Sequence, residues 1–505
     1  IAKPVGKKHD DTTNMCARCH SLRTQLTEDD RSKAFHDLNR IQLINETNYF
    51  ADGQSKQEAF VFGSFLQSKM HHKGVTCNNC HNPHSGKVLS NTNALCAQCH
   101  KPTTYDTPEH HHHPIQSSGA VCVDCHMPAR TVMQVDARRD HSFTIPRPTM
   151  SIALDVPNAC TQCHSDKNNS WAAAQTQEWG VKEDKQHWAY VLRQAGESNI
   201  LATRPAVKEI SDTGLPPMIR ASLLQHLSPL PSRVSAEAAA TMLQNADPLL
   251  RRAAVQALQS QPPEQRWQLL SPYLNDSNLG VRTQIAEVLA ELYTQLPPSQ
   301  QPRLKRLLDE YRKTLQVSAG AVTSQLNLAT LDLRLGDIAA AEKAYKQALR
   351  IAPAYVPGLL SLSDFYRRLQ RFGEEKPLLL KAIAIAPDSG AAQHSLGLYY
   401  VRQKQYEQAL EHLRLATVQD DASPYYVYVY SVALESQGQL SDAIKALEKA
   451  NQRWPNQYEI LMTLIQYLEQ AGKGDAIYPY LSNLSAIAPA APAVKALVTK
   501  YQNRQ

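Results

Sequence analysis

The sequence has no cysteine beyond residue 163, no uninterrupted apolar stretch of eighteen residues, and no dense run of lysine and arginine. The first absence confines every cysteine-based chemistry to the amino-terminal third of the chain. The second excludes a membrane-spanning helix. The third removes the footprint of a nucleic-acid binder, although 53 basic side chains against 47 acidic ones leave a formal charge of +6. The opening residues include Lys3, Lys7 and Lys8 but neither an initiator Met nor an apolar signal core, so the chain reads as a processed or truncated form. Aliphatic runs are also scarce before residue 165, where His, Asn, Pro and Thr prevail. Such a segment cannot fill a core by itself, and something other than side chains must supply the missing apolar volume.

What it does contain is ten cysteines in five Cys-x-x-Cys-His pentapeptides: Cys16/Cys19/His20, Cys77/Cys80/His81, Cys96/Cys99/His100, Cys122/Cys125/His126 and Cys160/Cys163/His164. Thiols at i and i+3 on one turn can add to the two vinyl groups of one macrocycle while the following His reaches its iron. A zinc ribbon would need Cys-x-x-Cys pairs to converge two by two, and five pairs leave one over. A disulfide framework would not require a His after every second Cys. The expected cofactors are therefore five covalently bound haem c groups, with His20, His81, His100, His126 and His164 as proximal iron ligands. Their propionates would bring the loaded protein near neutral or acidic. Haem attachment needs reduced thiols in an otherwise oxidising compartment, so a periplasmic or extracellular bacterial location follows, with export before attachment. Only 19 residues separate Cys77 from Cys96 and 26 separate Cys96 from Cys122, so successive macrocycles should lie nearly in contact.

Ten further histidines share this region: His9, His36, His71, His72, His84, His110, His111, His112, His113 and His141, against four in the rest of the chain. That density favours His over Met (Met15, Met70, Met127, Met133, Met150) as the sixth ligand, and bis-His ligation gives low-potential, electron-carrying haems. The candidate distal ligands are His36, His72, His84, His111, His113 and His141. Each proximal His also needs its Nδ1 proton held by a partner, usually a backbone carbonyl.

From about residue 171 the pattern turns helical. Arg220, Arg252 and Arg282 open similar apolar stretches 32 and 30 residues apart, with Asp247-Pro248 and Asp276 ahead of two of them, a resemblance to HEAT-type hairpins. Further on, Pro353, Pro387, Asp421, Pro455 and Pro489 recur every 34 residues, Ala348, Ala382, Ala416 and Ala450 keep the same register, and Gly336, Gly438 and Gly472 occupy the inter-helix turn. That period resembles about five tetratricopeptide repeats over 322–489, with small residues where the helices of a hairpin cross. The expected fold is mainly α: a haem-packed multihaem cytochrome domain with little regular structure over 1–170, then an α-solenoid, HEAT-like over 171–300 and tetratricopeptide-like over 301–505. Tyr425, Tyr426, Tyr428 and Tyr430 start one repeat helix, some to pack and alternate ones to line a binding groove.

The segment from Gly119 through Cys122 to Pro128, the pair Asp140-His141, and Pro157-Asn158 before Cys160 are similar to the last two haem segments of the pentahaem nitrite reductase and octahaem hydroxylamine oxidoreductase superfamily. That resemblance implies distal roles for one of His110 to His113 and for His141. Cys77 to His84, with its Asn-Pro-His ending, resembles the doubled motifs of multihaem electron carriers, where the Pro-His histidine caps a neighbouring haem; His84 inherits that role. The whole chain is similar to bacterial multihaem cytochromes fused to tetratricopeptide repeats, on 52–54, 62–70 and 138–143. Members of that group carry extra haem motifs upstream of the equivalent of Cys16, which implies a missing N-terminal haem segment or a second polypeptide. No Cys-x-x-Cys-Lys motif, the mark of the nitrite reductase catalytic haem, is present.

Three functions compete at this level. The first is electron transfer along closely spaced bis-His haems, with the repeats docking a redox partner or another copy of the chain. The second is an oxidoreductase for a small nitrogen or sulfur compound, of the nitrite, hydroxylamine or tetrathionate class, with a five-coordinate haem. Arg138, Arg139 or Arg147 would then hold the anion, and Tyr49 or Tyr105 would donate the proton. The third makes the repeats the main business and the cytochrome part their base.

Overall fold

The computed structural model describes residues 9–502 apart from 31, 58, 59, 133, 183–185, 198, 231 and 490. Helices dominate. Among the described residues four short strands form two antiparallel ribbons, β1 (Arg23–Gln25) with β2 (Asn39–Ile41), and β3 (Ala129–Val132) with β4 (Asp136–Arg139). The chain divides into two compact units, residues 1–196 with 202–289, and 197–201 with 290–505.

In the first unit the Cys-x-x-Cys-His region and the helices that follow, as far as Leu289, share one body. The helices alternate as hairpins, and Pro217–His226, Pro248–Ala257 and Leu279–Leu289 pack side by side. Asp247 caps the middle one, its Oδ1 accepting from the Leu249 amide at 2.8 Å with Pro248 in the first turn. Residues on or just before these helices reach one segment, 36–44, in which the short helix Phe35–Leu38 runs into β2. Ser222 Oγ accepts from the Ile44 amide at 3.0 Å, Arg252 Nη2 donates to the Ile41 carbonyl at 3.0 Å, and Asn278 Nδ2 donates to the His36 carbonyl at 2.9 Å. Phe35, Leu38, Ile41, Leu43 and Ile44 are buried there. Burial pushes the Arg252 guanidinium down to about 9, and its hydrogen bond to a carbonyl is what makes that depth tolerable.

In the second unit, five helical hairpins follow Gln301–Val317: Val322–Arg334 with Ile338–Ile351, Val356–Arg368 with Phe372–Ile385, Gly390–Arg402 with Tyr406–Ala416, Pro424–Ser436 with Leu440–Arg453, and Tyr458–Gln470 with Tyr478–Ile487. Ala348, Ala382, Ala416 and Ala450 are all buried at the helix crossings, which is why no larger side chain recurs there. Asp421 stands where the other repeats have Pro. Its carboxylate accepts from the Gly390 amide at 2.7 Å and the Ala391 amide at 3.2 Å, a negative charge set on the N-terminus of Gly390–Arg402.

The inter-helix turn has a left-handed residue in every repeat. Gly336, Gly438 and Gly472 have φ of 82°, 77° and 68°, and the intervening positions are Gln370 and Lys404, at 57° and 56°. A β-carbon in that region costs about 1–2 kcal/mol, offset in part by the greater freedom glycine gives the unfolded chain. The pair Gln370→Gly and Lys404→Gly should therefore raise unfolding free energy by about 1 kcal/mol together. Urea titration reads this directly, and an unchanged or lower midpoint would refute it.

Candidate functional site

Each Cys-x-x-Cys-His pentapeptide is wound into one turn. The amides of His81, His100 and His164 donate to the carbonyls of Cys77, Cys96 and Cys160 at 2.9, 3.0 and 2.9 Å. Motif one ends the helix His9–His20, and motif four is the helix Cys122–His126. Local caps start others: Asn79 Oδ1 accepts from the Thr76 amide at 2.8 Å, and Asn158 Oδ1 from the Cys160 amide at 2.9 Å.

All ten cysteines are free thiols, and they are not equally sheltered. Cys19, Cys99 and Cys163 are exposed, whereas Cys16, Cys77, Cys80, Cys96, Cys122, Cys125 and Cys160 are half-buried. The exposed three are the second thiols of motifs one, three and five. The physical reason is the scarcity of aliphatic side chains before residue 165, which leaves the outer face of those turns without a cover supplied by the chain. Cys125, the second thiol of motif four, lies deeper, and burial pushes it up to about 11.

Three histidines from elsewhere face motif histidines. The His81 and His141 rings have centroids 6.3 Å apart, His110 and His126 6.1 Å, and His113 and His164 6.1 Å, with ring planes inclined by only 23°, 17° and 33°. An imidazole nitrogen lies about 1.1 Å from its ring centre, and two imidazoles each bound at about 2.0 Å to one metal would have centres about 6.2 Å apart. Each pair thus leaves room for a single ion between its rings. In each pair at least one Nδ1 is tied back to a carbonyl: His81 to Gly86 at 3.2 Å, His141 to Arg139 at 3.0 Å, His126 to Thr144 at 2.9 Å and His113 to His111 at 2.5 Å. Burial lowers the proton affinity of His141 and His110, and His126 adds to the effect at His110, so both rings keep a lone pair for coordination. Among the described residues no three or more His, Cys, Asp or Glu side chains converge as a cage for a bare ion; these histidines meet in pairs.

Consecutive motifs are neighbours. The Cys16 and Cys77 thiols are within hydrogen-bonding reach, as are Cys96 and Cys122, and in each pair the shared hydrogen bond lowers the first thiol to about 7 and raises the second. Gln98 Nε2 of motif three donates to the Asn79 carbonyl of motif two at 3.5 Å, and Asn93 Oδ1 accepts from the Cys122 amide at 3.0 Å. Helix Cys122–His126 packs on Ala159–Cys163. The motifs therefore follow one another in space in chain order.

The remaining candidates fall elsewhere. His110 opposes His126, whereas His111 uses its carbonyl and its Nδ1 on His113. His36 and His71 sit edge-on to Phe35 and Phe65, both at 5.2 Å. His72 and His84 are exposed, and among the described residues neither ring faces a motif His. The side chain of His9 and residue Met133 lie outside the described residues. Of the groups proposed for an anionic substrate, Arg139 pairs with Asp124 at 2.7 Å, Arg138 with Asp136 at 2.6 Å, and Arg147 donates to the Ile145 carbonyl at 3.3 Å. Tyr49 is buried, which pushes its hydroxyl well above the usual range and makes it a weaker proton donor. Tyr105 stands edge-on between His100 and His110, at 5.5 and 5.4 Å. The helix Asn169–Glu178 adds two contacts that no sequence signal announced: Trp171 against His164 at 4.8 Å, and Trp179, just past its end, parallel to His112 at 4.1 Å.

The repeats form a second candidate site. A tetratricopeptide repeat family model matches residues 326–392 and 394–458. These are tetratricopeptide repeats. Stacked hairpins of this kind generally bind protein partners. Solved structures similar to the chain include MamA (21% identity, 33% of this chain and 92% of that one, TM-score 0.29) and YrrB, described as a tetratricopeptide protein with an unusual peptide-binding site (16%, 37% and 96%, 0.29). PilW, a type IV pilus biogenesis factor, is similar at 21% identity over 43% of this chain and 98% of that one, with a TM-score of 0.33. No curated protein matches the chain. Among the described residues no helix is long and apolar enough to cross a membrane.

In the tetratricopeptide unit Tyr425 is exposed, while Tyr426 stacks on His394 at 4.5 Å and Tyr428 and Tyr430 pack on the core. His394 is 6% exposed, neither ring nitrogen has a hydrogen-bond partner, and burial pushes it down to about 4. The unfolded imidazole therefore takes a proton first as pH falls. Stability present above about pH 6.5 should drain away on acidification and level off below about pH 4, by about 3 kcal/mol in all. His394→Phe should abolish that slope and raise stability at neutral pH, because a ring of like shape removes two unpaired polar atoms. Denaturation of both chains from pH 7 to 4 checks this; parallel curves would contradict it.

Proposed function

We propose that the chain is an extracytoplasmic c-type cytochrome that holds five covalently attached haems and passes electrons along them in chain order, with its tetratricopeptide repeats docking a protein partner or a second copy. The observation that carries this reading is the set of three facing imidazole pairs, each opposing a motif His at the separation one shared iron requires. The five Cys-x-x-Cys pairs would anchor the macrocycles, and His20, His81, His100, His126 and His164 would bind on the proximal side. The exposure of Cys19, Cys99 and Cys163 is compatible with that role, since a thiol must be open to a vinyl group before it can add to one. His141, His110 and His113 would bind opposite His81, His126 and His164. The haem supplies a one-electron centre when bound. The chain's own part is to fix His81, His141, His126 and His113 by Nδ1 contacts, to disfavour protonation of His141 and His110 by burial, and to hold successive motifs side by side so that no long gap interrupts transfer. Sequestration of Arg139 by Asp124, and burial of Tyr49, weigh against the oxidoreductase alternative.

Intact-mass measurement and ferric spectra of the purified protein test the proposal. Five haem increments with low-spin irons at the three paired sites are expected. A bare-polypeptide mass, or high-spin iron opposite His81, His126 and His164, would sink it.

A further inference from the structure

The geometry points to Arg139 as a positioning residue shared by two haem sites, those of motifs two and four, an inference that rests on the cytochrome reading above. The segment concerned leaves motif four through β3, turns, and returns along β4, so that Ala129 pairs with Arg139. Arg139 then acts in two directions at once. Its guanidinium reaches back to the motif-four turn, donating through Nη1 to the carbonyls of Val123 and Met127 at 3.0 and 3.2 Å and through Nη2 to Asp124 Oδ1 at 2.7 Å. A cation here meets the carbonyls at the C-terminal end of a short helix, where positive charge is favoured. Its own carbonyl accepts the Nδ1 proton of His141, which faces His81 of motif two.

The residues that follow complete the arrangement. Asp140 Oδ2 accepts from the Ser55 amide at 2.8 Å and its Oδ1 from the Ser142 amide at 2.7 Å, fixing the chain on either side of His141. Phe143 has φ of 52°, a left-handed conformation that a bulky residue adopts only where surrounding contacts enforce it. Just beyond it the Thr144 carbonyl accepts from Nδ1 of His126, the motif-four histidine. Six residues, 139–144, thus supply the facing histidine and its orienting carbonyl for one site and the orienting carbonyl of the proximal histidine for another. Arg139 is the bolt that keeps this strap on the motif-four turn. Outer partners of a ligating histidine set ring orientation and ligand basicity, so displacement of the strap must disturb both irons together.

The test is Arg139→Gln in the full chain, read by haem count, ferric EPR and a redox titration. Retention of all five haems is expected, with two low-spin signals and two midpoint potentials displaced together; Arg139→Lys, which keeps the charge but loses the fork, should shift the same two less. In a His141→Met background, where the motif-two signal is already altered, Arg139→Gln should displace one further signal, that of motif four. Should Arg139→Gln fail to assemble, Arg139→Lys serves alone with the same paired readout. Five attached haems with unmoved signals, or movement of the motif-four signal alone, would overturn the inference and leave the cytochrome reading standing. A mass without haem would overturn that reading, and this one with it.

Discussion

On the proposed cytochrome reading, Gly119→Ala is expected to convert the iron of the fifth motif from low spin to high spin. A β-carbon built on Gly119 would lie 2.2 and 2.4 Å from Cδ2 and Cγ of the His113 ring, and 2.8 Å from its Nε2, distances that no real contact survives. The ring cannot slide away cheaply, because its Nδ1 is bound to the His111 carbonyl and its face opposes His164 at 6.1 Å. The single added methyl must therefore swing His113 off its axis, since close-packed surroundings leave no slack for it. His113→Ala should reproduce the same spectrum by removing the ring outright. Ferric EPR, with cyanide added to reveal an open coordination position, distinguishes the outcomes. If Gly119→Ala keeps every iron low-spin and cyanide-inert, His113 is not the sixth ligand opposite His164.

Gly397→Leu should unfold the repeat region at markedly lower temperature. A β-carbon at Gly397 would stand 2.7 Å from Leu413 Cγ and 3.1 Å from the Leu413 amide nitrogen, so the helices Gly390–Arg402 and Tyr406–Ala416 touch backbone to side chain at this point. Leu413 is fully buried and has nowhere to go. Overpacking of this kind costs about 3 kcal/mol, which for a body of this size lowers Tm by about 6–12 °C. Partner capture should fail in parallel, because the helices that would line the groove are splayed from the middle repeat outward. Scanning calorimetry settles the first point; a Tm within a degree of the parent would mean that the hairpin has room there.

What the sequence made visible was whatever is local. The spacing of thiols and the His beside them are adjacent in the chain, so all five Cys-x-x-Cys-His turns could be read directly. How deep each thiol lies could not, because the cover over Cys125 and the lack of one over Cys19 and Cys99 depend on segments that the spacing says nothing about. The 34-residue period could be read for the same reason as the turns, although two of its inter-helix positions were hidden, because Gln370 and Lys404 adopt a conformation that glycine usually advertises. Pairing across a site is another matter. The run His110 to His113 offers four rings within one turn, and which of them faces outward depends on the left-handed twist at His112 (φ 56°) and on contacts formed far away. Of the four rings His110 to His113 left open by the sequence, it is His110 that stands opposite His126. The carbonyls of Gly86, Arg139 and Thr144 have no side-chain signature at all, since every residue carries one. Arg139 itself invited a reading as an anion binder because its partners, Asp124 and two main-chain oxygens, lie 12 to 16 residues away.

The grip of Ser222, Arg252 and Asn278 on residues 36–44 has an evolutionary consequence. Recombination that exchanged the amino-terminal third at residue 170 would part that segment from its cradle, leaving buried amides and an arginine without counterparts. A crossover near residue 290 would cut none of these bonds. Related chains that trade modules are thus expected to keep residues 36–44 and the helices up to Leu289 together in one exchanged piece.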